Sequence, residues 1–106
     1  MNDHQASAPP QEWFETAVMV SADDGLHARP AIRLSQLART FSSAIRIGIE
    51  GQDQWVDVKS VARLVGLRVD SGRTVLLRAS GEDAAPALAA LRELIRRDFG
   101  PKDDRG

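Results

Sequence analysis

Gly25-Leu26-His27-Ala28-Arg29-Pro30-Ala31 sets an imidazole at the mouth of a predicted helix, with a guanidinium two residues further on. Pro30 has no amide hydrogen and its φ is pre-set for a first helical turn. The amphipathic run behind it therefore requires a helix beginning at about Ala28 or Arg29. His27 then stands at the helix entrance, where unpaired amides and the positive end of the helix dipole favour an anion by about 0.3–1 kcal/mol when exposed. A phosphate bonded to His27 would be such an anion, with Arg29 in reach of its oxygens.

On the N-terminal side, Phe14, Thr16, Val18 and Val20 alternate with Glu15, Ala17 and Met19, the period of a half-buried strand that ends in the polar loop 21–25. On the C-terminal side, Ala31, Leu34, Leu37, Ala38 and Phe41 recur at helical spacing. Ile45, Ile47 and Ile49, a turn around residues 50–53, then Val56 and Val58 predict a β-hairpin. Ser60 opens the short apolar segment 61–67, too short to hold as an isolated helix but able to pack over a sheet. Ser71-Gly72 gives a turn before a fourth strand with Val75, Leu77 and Ala79 inward. Asp83 is the predicted N-cap of a last helix carrying Leu88, Leu91, Leu94, Ile95 and Phe99. The order β-α-β-β-α-β-α predicts an α+β fold. A four-stranded antiparallel sheet carries three helices on one face, an open-faced β-sandwich.

At 106 residues the chain holds one domain with one small core. Polar, proline-containing ends predict flexible tails at residues 1–12 and 100–106 around a domain spanning 13–99. His4 falls in the first tail. The absence of cysteine excludes disulfides, thiolate metal sites and a cysteine nucleophile, and two histidines alone argue against any metal site or cofactor. No apolar run of about 20 residues and no secretory leader is present, which predicts a cytoplasmic protein without membrane insertion. A net charge of −1, two tryptophans, three phenylalanines and no tyrosine argue against an RNA-binding sheet and against any nucleic-acid partner.

With the GLHARPA motif, the Lys59-Ser60-Val61 segment and this element order together, the region from about Trp13 to Phe99 resembles HPr, the histidine-containing phosphocarrier family of the bacterial phosphotransferase system. The resemblance implies that His27 takes a phosphoryl group on Nδ1 from phosphorylated enzyme I and passes it to a IIA-type domain. Arg29 then stabilises the phosphate, and the protein is a monomeric carrier rather than an enzyme. It further implies a docking patch of Val61, Ala62, Arg63 and Val65, with Leu64 and Leu67 inward. Ser60, besides capping the short helix, matches a serine that a dedicated kinase and phosphatase modify in some branches of the family. A regulatory binding module, switched at His27 or Ser60 and apart from transport, is the alternative. Arg68 stands where sugar-transport members commonly carry glycine, and Asp24 where many carry asparagine. Arg68 is thereby a candidate additional phosphate ligand, and both the sugar-uptake and the nitrogen-related branch stay open.

Overall fold

The computed structural model describes residues 12–21 and 26–99. The predicted tails lie outside these apart from Glu12, as do His4 and Asp24. The elements are β1 (Phe14–Val20), α1 (Ala28–Ala38), β2 (Ala44–Ile49), β3 (Trp55–Asp57), α2 (Val61–Leu67), β4 (Arg73–Ser80) and α3 (Ala84–Leu94), in the predicted order. All strand pairs are antiparallel and the sheet runs β1-β4-β2-β3.

Register follows from the two-residue period, because one face must be apolar. Thr16, Leu77, Ile47 and Val56 form one row across the sheet, and Val18, Val75 and Ile49 the next. Except for half-buried Thr16, these side chains are buried. They meet Ala31, Leu34 and Ala38 of α1, Leu64 and Leu67 of α2, and Ala87, Leu88, Leu91 and Leu94 of α3 in one core. Phe14, expected inward, is 49% exposed. It starts the edge strand and lies at the rim of a shallow depression with Ala85, Leu88 and Ala89 of α3, where no further element covers it.

The opposite face carries the row Glu15, Arg78, Arg46 and Asp57. Arg78 bonds the Glu15 carboxylate at 2.7 Å and stacks on Trp55 at 4.1 Å, while Arg46 sits 5.4 Å from the Trp13 ring centre. These contacts offset the cost of two like charges directly opposite on neighbouring strands.

Two details depart from the sequence reading. Asp83 precedes α3, yet its carboxylate makes no cap bond to that helix. It instead accepts the Ser42 and Ser43 amides, each at 2.9 Å, and the Ser43 hydroxyl, tying the β4–α3 turn to the α1–β2 connection. Past Leu94 the backbone continues as a π-helical turn, Ile95–Phe99, rather than as α-helix. Within that turn Asp98 lies 2.8 Å from the Arg33 guanidinium of α1.

Candidate functional site

His27 is the N-cap of α1, extended at φ −102° and ψ −162°, and is exposed. The first helical bond runs from the Ala31 amide to the His27 carbonyl at 2.9 Å. The amides of Ala28 and Arg29 are therefore left without an acceptor inside the helix, and Pro30 has none to leave. Pro30 and Ala31 are buried, which fixes this end of the helix against the core, while Ala28 and Arg29 are exposed beside the imidazole. The helix start predicted from Pro30 is the observed one.

The residue directly ahead of His27 is held by a long-range contact. Leu26 forms an isolated antiparallel bridge with Val69, its amide donating to the Val69 carbonyl at 2.9 Å. Both side chains are 3% exposed and enter the core. The bridge sets the segment after α2 beside Leu26, and Arg68, one residue ahead of Val69, is exposed. Arg68 closes α2 in the left-handed conformation, φ 59° and ψ 64°, its amide donating to Val65 at 3.2 Å. It is the only non-glycine residue with positive φ among those described.

The short helix is tied to α1 by the residue ahead of its cap. The Lys59 carbonyl accepts from the buried Ser35 hydroxyl at 2.8 Å and from Arg39 at 3.2 Å, and the Lys59 ammonium donates to the Phe41 carbonyl at 2.9 Å. Ser60 then caps α2, its hydroxyl accepting from the Arg63 amide at 3.2 Å. That cap, supplemented by burial of Leu64 and Leu67, lets seven residues stay helical.

Of the four residues expected on a docking patch, Ala62, Arg63 and Val65 are exposed. Val61 is not fully outward: it is half-buried and packs on the core, because the first turn of α2 leans on the sheet through it as well as through Leu64. Ile32 takes a place that the sequence reading did not give it. It is 44% exposed, one turn after Arg29 on α1, and with Val65 at 40% leaves a large apolar side chain at the surface of each helix. Its signal was an apolar residue off the buried stripe of Ala31, Leu34 and Ala38.

Among the described residues no cluster of His, Asp and Glu could hold a metal ion, and no helix is long and apolar enough to cross a membrane. What the arrangement offers is a nucleophilic imidazole with cationic and amide donors at a helix entrance, next to a partly apolar surface.

Residues 14–97 match the family described as the PTS HPr component phosphorylation site. The chain is 37% identical over 82 residues to the phosphocarrier protein HPr of Haloferax volcanii, covering 77% of this chain and 92% of that protein. Identity to the HPr of Cupriavidus necator is 40% over 76 residues, covering 72% of this chain and 83% of that protein. The fold is similar to the crystal structure of HPr-C-His from Thermoanaerobacter tengcongensis, with a TM-score of 0.75 and 37% identity over 85% of this chain and 99% of that one. The chain thus belongs to the HPr family, the non-catalytic phosphocarriers of the phosphotransferase system.

Proposed function

We propose that His27 accepts a phosphoryl group on Nδ1 from phosphorylated enzyme I and delivers it to a IIA-type acceptor domain, the protein acting as a monomer in the cytoplasm. The observation that carries this reading is the exposed His27 at the N-cap of α1, followed by exposed Ala28 and Arg29 in the first helical turn. In the transfer, the nitrogen–phosphorus bond of the donor breaks as the bond to His27 forms. Enzyme I leaves with the electron pair of the broken bond, and the attacking lone pair is that of a neutral His27 imidazole. No net proton moves, so no separate general base is required. Positioning and charge carry such a step, and the helix entrance with Arg29 supplies both. Ala62, Arg63 and Val65, joined by Ile32, form the surface on which donor and acceptor dock in turn. An exposed apolar patch of modest size suits short-lived encounters.

Ser60 favours a second layer of control. Its hydroxyl lies at the start of α2, one residue ahead of Val61 and two ahead of Ala62. A phosphate placed there by a serine kinase would add about −1.5 to −2 charges beside the docking surface. Under the alternative reading this switch, rather than transport, is the protein's task.

Phosphorus NMR with phosphoenolpyruvate and a catalytic amount of enzyme I tests the carrier reading. A phosphohistidine resonance in the wild type that is missing from His27→Ala is the expected result. Its absence from both, with the same enzyme I active on another carrier, overturns the reading.

A further inference from the structure

The antiparallel bridge has a consequence for the residues next to it. With Leu26 opposite Val69, His27 falls opposite Arg68. Leu26 and Val69 are buried, whereas His27 and Arg68, each one residue from the bridge, are exposed, so both side chains emerge at the surface beside it. A guanidinium on its three-carbon stem reaches from one side of the bridge toward a phosphoryl group on the imidazole at the other. Arg68 makes no ion pair with another described residue that would hold it elsewhere.

The backbone at Arg68 adds a second, independent observation. A left-handed helix terminus is the place for glycine, and any other residue there carries a strain of about 1–2 kcal/mol. Here that strain falls on arginine, the side chain best fitted to grip phosphate oxygens in a fork.

We infer that Arg68 is a second phosphate-binding side chain of this carrier, closing on the phosphoryl oxygens once His27 is phosphorylated. This deepens the phosphocarrier reading and rests on it. Arg68 acts on the phosphorylated state, since only then is there a dianion within its reach. It makes this chain a tighter holder of the phosphoryl group than the same site without it.

The test is a competition. Phosphorylated wild type, isotopically labelled, is mixed with an equal amount of unlabelled Arg68→Gln and catalytic enzyme I, and the phosphoryl group is allowed to partition. Mass spectrometry of the intact proteins then reads the ratio. The group is expected to favour the wild type by about five- to twentyfold, the range for a charge-assisted bond weakened by exposure. Arg68→Lys should fall between the two. The dianionic phosphoryl group of Arg68→Gln should also take up a proton at higher pH than that of the wild type by phosphorus NMR, which loss of a merely structural residue would not produce. Arg68→Gly separates strain from grip: it melts higher than the wild type yet holds the phosphoryl group less well. Even partition within twofold, with unchanged phosphoryl titration, overturns the role of Arg68 and leaves the carrier reading standing. Failure of enzyme I to phosphorylate His27 at all overturns both.

Discussion

The Leu26 amide donates to the Val69 carbonyl at 2.9 Å across 43 positions of chain, and this one bond joins the entrance of α1 to the exit of α2. It fixes in the core the residue directly ahead of His27. With it, the imidazole is held from both sides, and the two helices that carry the candidate contacts share one reference point. The Lys59 carbonyl, gripped by Ser35 and Arg39, is a second tie between the same helices.

Leu26→Ala should therefore cost both stability and function. Its side chain is 3% exposed, and truncation of a buried leucine costs about 2–5 kcal/mol, here toward the lower end because the site is next to the surface. Urea denaturation should show the loss, and phosphoryl uptake at a temperature where the variant is still folded should be slower than in the wild type. Unchanged uptake in the folded variant would mean that the bridge does not help to place His27.

Ser60 separates a structural role from a regulatory one. Ser60→Ala removes the cap on the Arg63 amide and should cost about 0.5–2 kcal/mol. Aspartate is as good a cap as serine, so Ser60→Asp should keep most of that stability while adding a charge beside Ala62 and Arg63. Slower transfer from enzyme I in Ser60→Asp than in Ser60→Ala, with the stability order reversed, is the outcome that makes charge at this position a switch. Equal transfer rates leave Ser60 as a cap alone.

Most of the fold was legible because its signals are local. Ile45, Ile47 and Ile49 alternate, Pro30 marks a helix start, and Ser60 precedes a short apolar run, so each element declares itself within a few residues. What escaped depends on pairs distant in sequence. Asp83 is a sound local cap, but Ser42 and Ser43, some 40 positions away, offer two amides and a hydroxyl, and its carboxylate turns to them instead. The Leu26–Val69 bridge is likewise a product of register, which no local pattern encodes. Val61 was expected outward and is half-buried for a related reason: the tilt of the short α2 on the sheet sets its burial.

Gly48 tests the open face. A Cβ at this position would come 2.8 Å from the Gln54 carbonyl oxygen and 3.1 Å from the Trp55 ring. The absence of a side chain is what lets Trp55 lie flat across β2 and receive Arg78. Gly48→Ala should force Trp55 outward and cost about 1–3 kcal/mol, the range for overpacking against backbone. Near-ultraviolet circular dichroism should lose intensity in the tryptophan region while phosphoryl uptake at His27 stays as in the wild type. An unchanged spectrum and an unchanged urea midpoint would show that the ring moves aside freely.

Asp83 gives the protein an acid-sensitive tie. The Ser43 hydroxyl first, then the Ser42 amide, stabilise its ionised carboxylate, drawing the pKa from 3.8 down to about 2. A folded-state pKa below the unfolded one means that the contribution is fully present above about pH 4 and is lost as pH falls toward 2. Gly81 sharpens the dependence on this tie, since a Cβ there would come 2.6 Å from the Ser43 hydroxyl oxygen, so the two turns are pressed together and have little room to re-pair. Urea midpoints measured from pH 6 to pH 2 should fall more steeply in the wild type than in Asp83→Asn, and the two curves should converge at the acid end. Parallel curves would assign the acid sensitivity to other carboxylates and reduce Asp83 to an ordinary turn residue.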